Sequence, residues 1–325
     1  MDPLSNVLSI LKPRNCLSAG LEAGGAWSIR FPGQKEGIKC GAVVSGECWL
    51  DVEGIADPIR LTDGDCFLLP SGRPFRLASD RSLPSAEAGP IFAAKGERAI
   101  ACINGGEDFY MVSSRFVIDG HPAEILLRML SPIVLVRDES GQAALRWLLE
   151  QMLRELRAPE PGGSLIVEHL AQMILVRALR LHLAEGAKGG VGWMFALADR
   201  QMSLALGAMH GDPARRWTLQ SLAECAGLSR STFAERFRQT VGEPPLEYLT
   251  RWRMLLAADR LAKSGEPVST IALSLGYESD SAFSTAFKRV MGCPPRRYAR
   301  DPGPASANAA ATQAARAAGP DRRAG

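Results

Sequence analysis

Two short runs of residues carry the most specific chemistry in this 325-residue sequence. The first holds Arg230, Ser231, Ala234, Glu235 and Arg238, the second Asp280, Ser281, Ser284, Thr285 and Lys288. In each run the spacing is that of one face of a helix. Hydroxyls, carboxylates and cations so placed can bond to base edges in a DNA groove and to phosphate oxygens. Ala234 has no hydrogen-bonding group, so a base contact there is apolar. A polar face is also what any solvated helix presents, and one such run decides nothing. Two matched runs decide more.

The elements that must position these faces are also written twice. Leu222-Ala223, Gly227-Leu228, Phe233 and Phe237 recur as Ile271-Ala272, Gly276-Tyr277, Phe283 and Phe287. In the first copy Leu219, Leu222, Ala223 and Ala226 form one apolar helix face, with Thr218 as N-cap. Gly227 then ends the helix and Ser229 caps the next, whose buried face is Phe233, Phe237 and Val241. The second copy offers Val268, Ile271, Ala272 and Leu275, then Gly276, the cap Ser279, and a buried face of Phe283, Phe287 and Val290. Helix, tight turn and helix make a helix-turn-helix unit, whose second helix enters the DNA major groove.

With those residues in place, 217–298 resembles the DNA-binding domain of AraC-type transcription regulators. The matching text includes Gly227-Leu228-Ser229-Arg230-Ser231-Thr232-Phe233, Pro245-Leu246, Leu275-Gly276-Tyr277, Ala286-Phe287-Lys288-Arg289, Pro294-Pro295 and Tyr298. The resemblance implies two helix-turn-helix units joined by one long helix, here about Leu246 to Ser264. Carried over position by position, it implies base reading by Ser231, Ala234, Glu235, Ser281, Ser284 and Thr285. Arg238 and Lys288 lie beyond the base-reading turns and suit phosphate. It further implies promoter DNA and RNA polymerase as partners, as for an activator.

Charge follows the same division. Residues 1–210 carry 21 Lys/Arg against 24 Asp/Glu, while 211–300 carry 14 against 9. The cationic excess lies in the half that phosphate neutralisation requires. At 46% apolar residues the chain can build buried cores, yet no apolar run reaches the length of a membrane span. The start, Met1-Asp2-Pro3, has no signal-peptide pattern, so a cytoplasmic protein with no membrane partner is expected.

From Trp27 to about Val117 the pattern is short apolar runs separated by turn signals such as Thr62-Asp63-Gly64-Asp65, which suggests a sandwich or barrel. Gly46-Glu47-Cys48-Trp49-Leu50, Gly64-Asp65 and Leu68-Leu69-Pro70-Ser71-Gly72 give this region a resemblance to the cupin-like sensor half of some AraC-type regulators. Metal-binding cupins carry an H-x-H pair where this chain reads Ile38-Lys39-Cys40-Gly41-Ala42. No metal, cofactor or catalytic residue is therefore expected, and the four His form no ligand cluster. Lys39 offers a cation to an acidic effector and Cys40 a thiol to an oxidant. Equally, Lys39 can point to solvent and Cys40 inward.

The full expectation is an α+β chain. Residues 1–120 form a cupin-like β-barrel that binds a small-molecule effector. Residues 121–192 form a helical dimerisation segment ending in a flexible Gly186–Gly192 linker. Residues 193–300 form an all-α double helix-turn-helix domain, and 301–325 a disordered tail. The helical pair Gln142–Leu156 and Ser164–Ala184 can serve a homodimer or pack on its own barrel. The alternatives are a redox-sensing regulator using Cys16, Cys40 or Cys102, and a cupin-type enzyme fused to a DNA-binding domain.

Overall fold

A computed structural model describes residues 2–33, 37–70, 72–94, 99–118, 131–137, 142–184 and 192–300. Residues 125–130, where Ile125, Leu126, Met129 and Leu130 have helical spacing in the sequence, lie outside them, as do the linker at 186–191 and the tail at 301–325. The chain divides into two units. One takes Pro13–Ile118 and Leu130–Gly190, the other Met1–Lys12 and the chain from Val191 onward.

The first unit is built on two sheets. Strands β1 (Arg14–Ala23), β3 (Ile38–Ser45), β6 (Cys66–Leu69), β9 (Ile100–Ile103), β10 (Phe109–Val117) and β11 (Val134–Val136) form a six-stranded sheet, in the order β11-β6-β3-β10-β1-β9. Strands β2 (Ser28–Phe31), β4 (Cys48–Val52), β5 (Ile59–Leu61), β7 (Phe75–Ala78) and β8 (Ala86–Glu87) form the second, in the order β5-β4-β7-β2-β8. The described strands thus make a sandwich of two sheets rather than one closed ring. Its core holds Leu21, Ile29, Val43, Leu50, Phe67, Phe75 and Met111, with Phe31 stacked on Phe75 at 4.4 Å between ring centroids. Gly41 is needed there, because a Cβ on it would run into the Phe67 ring.

β1, β8 and β11 do not follow from the pattern of short apolar runs; β8 is only the two exposed residues Ala86–Glu87. Arg14 to Ala23 pairs with β10 through a register shift between Asn15 and Leu17. That irregularity breaks the strict alternation by which a strand is read. β11 has only three residues and lies in a stretch that reads as helical. Helix α2 (Ala88–Ala94) packs on β2 and β9. Helices α3 (Gln142–Arg157) and α4 (Gly163–Ala184) pair with each other and cover the outer face of the six-stranded sheet.

The second unit is helical. α1 (Pro3–Leu11) is capped by Asp2 and buries Leu4, Val7, Ile10 and Leu11. The spacing of Leu4, Val7, Leu8 and Leu11 predicts one apolar helix face there, but Ile10 is buried in place of Leu8. α1 packs on α6 (Arg200–Gly211) and on the long helix α9 (Pro245–Lys263). The sequence from Trp193 to Met209 predicts a single helix, but the structure has two, α5 (Trp193–Ala198) and α6. Asp199 makes the break. Its backbone is extended and its carboxylate accepts from the amides of Gln201 and Met202, capping α6. α7 (Leu219–Cys225), α8 (Arg230–Val241), α10 (Val268–Ser274), α11 (Asp280–Met291) and α12 (Pro295–Arg300) complete the unit.

Candidate nucleic-acid interface

The two helix-turn-helix units arise from the capping chemistry legible in the chain. Thr218 Oγ1 accepts from the Ser221 amide while Ser221 Oγ accepts from the Thr218 amide, a reciprocal cap at the start of α7. Gly227 then adopts φ 65°, a conformation that costs a side chain, and Gly276 does the same at φ 81°. Ser229 caps α8 through the Thr232 amide, and Ser279 caps α11 through the Ala282 amide.

Packing repeats with the sequence. Phe233, Phe237 and Tyr248 form one aromatic cluster, with centroid separations of 5.5 and 5.8 Å. Fifty residues on, Phe283, Phe287 and Tyr298 form the other, at 5.8 and 5.5 Å. All four Phe rings are wholly buried. The one correction concerns the last contact: α11 buries Met291 rather than Val290, which is half-buried. Met291 stands where α8 has Val241, so the fifty-residue offset holds to the end of the helix. Cys225 is half-buried.

Opposite those rings lie the polar faces. On α8, Arg230, Ser231, Glu235 and Arg238 are exposed and Ala234 is half-buried. On α11, Ser281, Thr285 and Lys288 are exposed and Ser284 is half-buried. All nine candidate residues therefore fall on two equivalent, accessible helix surfaces. The neighbouring Arg236 has a different place. It reaches Asp199 at 2.6 Å and Gln201 at 2.5 Å, tying α8 to α6. Nothing local in the sequence announces that link, since its partners lie more than thirty residues away.

A second feature escaped the sequence reading. His210 of α6 is buried, its ring stacked on Trp252 at 3.8 Å, and its Nε2 lies 2.7 Å from the Tyr248 hydroxyl. Burial pushes its pKa from 6.5 down to about 3, so the ring is neutral in the fold. A lone His on an apolar helix gives no sign of which rings surround it.

In the other unit, Lys39 and Cys40 are neighbours on β3 and so point to opposite faces. Lys39 faces the sandwich interior with Val43 and is only 9% exposed. Its Nζ donates to Ser113 Oγ at 3.2 Å and lies 5.8 Å from the Phe31 ring centroid. Cys40 lies on the outer face, its Sγ 3.9 Å from that of Cys66. This reverses the alternative in which Lys39 meets solvent and Cys40 points into the sandwich. The Cys40 thiol and burial push the Cys66 thiol well up. Cys102 is exposed, and the side chain of Cys16 lies outside the described residues.

The inward positions of β3 are Lys39, Gly41 and Val43, which do not fit a cupin metal centre. Among the described residues, no three His, Cys, Asp or Glu come together as metal ligands. Nor is any described helix long and apolar enough to cross a membrane.

A sandwich joined to two helix-turn-helix units on one connecting helix defines a DNA-binding protein with a separate N-terminal domain. Comparison with known proteins agrees. A family described as "Cupin" matches residues 2–184, and one described as "Helix-turn-helix domain" matches 222–301. A "Putative AraC-like transcription regulator" of Streptomyces lividans is 45% identical over 93% of this chain and 99% of its own length. Another, of Streptomyces antibioticus, is 43% identical over 94% of this chain and 100% of its own. An "HTH-type transcriptional regulator AlkR" of Acinetobacter baylyi is 31% identical over 72% and 79%. The chain belongs to the AraC-type transcription regulators and carries an N-terminal cupin domain.

Proposed function

We propose that this regulator is a one-component switch: a small-molecule effector acts on the cupin domain and changes how α8 and α11 hold promoter DNA. The observation that carries the effector reading is Lys39. Burying an ammonium group costs far more than burying a methylene chain, so a buried Lys at this position calls for a role. A cation kept inside an otherwise apolar sandwich, beside Ser113 and the Phe31 ring, is a recognition group for an acidic ligand.

On the DNA side, Ser231, Ala234 and Glu235 on α8 and Ser281, Ser284 and Thr285 on α11 read bases. Arg230, Arg238 and Lys288 neutralise phosphates. The exposure of these side chains, opposite buried Phe pairs, supports that assignment. The protein acts as a homodimer in the cytoplasm and meets RNA polymerase at the promoter. The dimer surface is the free side of α3 and α4. There Trp147, Leu165, Ile166 and Met173 are exposed, and Trp147, Leu148, Met173 and Val176 line a groove of about 900 Å³. Exposed apolar area of this kind marks an interaction site.

The redox alternative draws less support. Cys40 and Cys66 are close, but burial and their own contact hold Cys66 as a thiol, and the thiolate is the reactive form.

The test is a promoter reporter read with wild type and with Lys39→Met across a panel of carboxylic acids and oxidants. Response to an acid in wild type, lost in Lys39→Met with DNA binding intact, supports the proposal. A response to oxidant that is lost in Cys40→Ser would replace it with the redox reading.

A further inference from the structure

The two turn glycines are equivalent in sequence and differ in surroundings. A Cβ on Gly227 meets nothing within 4 Å. A Cβ on Gly276 would collide with the backbone carbonyl of Ala214, which belongs to the segment leading into the first helix-turn-helix. The close approach is thus no property of the repeated unit. It joins the lead-in of the first unit to the turn of the second.

That lead-in, Asp212 to Thr218, is stiff. Trp217 Nε1 donates to the Asp212 carbonyl at 2.8 Å, the Trp217 amide donates to the Arg215 carbonyl at 2.8 Å, and the Arg215 guanidinium lies over the Trp217 ring at 4.2 Å. Arg253, in the middle of α9, holds it from below. Its Nε donates to the Pro213 carbonyl at 2.6 Å and its Nη2 to the Arg215 carbonyl at 2.8 Å. The same guanidinium lies 5.7 Å from the ring centroid of Tyr277, the residue after Gly276. Arg253 thus touches the lead-in of one unit and the turn of the other. The Arg216–Glu278 pair also spans them, but both side chains are highly exposed and such a pair contributes little.

We propose that Arg253 and Gly276 form a clamp that sets the separation and helical phase at which α8 and α11 read DNA. α9 packs against both units, and a joint of one helix with no further contact would leave each free to rock about it. A guanidinium fixed to two carbonyls, and a backbone contact that admits no Cβ, remove that freedom. Arg253 is in this reading a positioning residue for the two recognition helices, and its effect falls on spacing rather than on base preference. The inference is independent of the effector reading, since it concerns the DNA-binding unit alone.

The experiment uses the full chain. Duplexes are selected from a random library, the segments under α8 and α11 are located by footprinting, and duplexes are resynthesised with one to five base pairs inserted between them. Each insertion moves the second segment by about 3.4 Å and turns it by about 34°. For wild type, affinity falls at least tenfold at the first or second insertion. For Arg253→Met and Gly276→Ala the fall shrinks to threefold or less, while binding to a single segment stays within twofold of wild type. Arg253→Lys, which keeps the charge but can reach one carbonyl at a time, gives an intermediate profile and serves if Arg253→Met does not fold. Gly227→Ala is the control, because it carries the same backbone strain without the collision. It shifts the whole profile and leaves its shape. Profiles parallel to wild type for Arg253→Met and Arg253→Lys would overturn the proposal. So would a Gly227→Ala profile flattened as much as that of Gly276→Ala.

Discussion

His210 ties the stability of the DNA-binding unit to pH. In the fold its pKa is pushed down to about 3 by burial, against 6.5 when unfolded. Between these values the unfolded chain binds a proton that the native chain refuses. Stability therefore rises with pH through this window, is fully present above about 6.5, and is lost as pH falls. From pH 7.5 to pH 5.0 the loss from this one group is about 2 kcal/mol, taking about 1.4 kcal/mol per unit below the unfolded pKa. The Tyr248 hydroxyl beside Nε2 does not change the sign, since burial pushes its own pKa up and keeps it neutral throughout. The assay is hydrogen exchange of the α9 amides, which report opening of this unit. Wild type is compared with His210→Gln, which can still bond to Tyr248. The carboxylates titrate alike in both proteins, so the difference between the two curves isolates His210. Wild type should lose about 2 kcal/mol more than the variant between pH 7.5 and 5.0. Parallel curves would refute the argument and mean that the imidazole reaches water or takes its proton inside the fold.

Other outcomes follow from the same geometry. Phe237→Ala and Phe287→Ala each empty a site between a second Phe and a Tyr, and should each cost about 3–5 kcal/mol in urea unfolding. Gly41→Ala should destabilise the cupin domain by about 1–3 kcal/mol, because the Phe67 ring must shift to admit the Cβ; the midpoint of thermal unfolding reads this directly. Arg238→Ala and Lys288→Ala should weaken binding to specific and random duplexes alike and lower the salt slope, whereas Glu235→Gln should change base preference at one position by about 1–3 kcal/mol. Trp147→Glu should shift the sedimentation of a dimer towards monomer while leaving the helices of circular dichroism intact.

What the sequence discloses depends on the range of the interaction. Caps, turn glycines and Phe pairs of the double motif act within five residues of themselves, so Thr218, Ser229, Gly227 and Phe233 could be read in place. The short strands β4, β5 and β6 were legible because each is an apolar run between turns. Partners distant in sequence were not legible. Arg236 finds Asp199, Arg253 finds Pro213 and His210 finds Trp252 only because α6, α8 and α9 pack together. Lys39 and Cys40 show a related limit. The alternation of a strand says that they face opposite ways, but not which face is inside. That choice follows from which side α3 and α4 cover, and those helices begin a hundred residues later.

The duplication keeps its cores alike and its faces different. Phe233, Phe237 and Tyr248 are repeated by identical residues, and the burial pattern of α8 recurs along α11. On the exposed side only Ser231 and Ser281 agree. Arg230 is answered by Asp280, Ala234 by Ser284, Glu235 by Thr285 and Arg238 by Lys288. A chain whose two helices read the same bases would carry the same side chains at those points, because hydrogen-bonding groups are what distinguish base pairs. Under the assignment proposed here, one protomer reads two unlike segments. The DNA site of a single chain is then asymmetric and gives the chain a direction along the duplex. That direction has meaning only if the two helices keep a fixed relation to each other. The contact of Arg253 with the lead-in and the approach of Ala214 to Gly276 supply it.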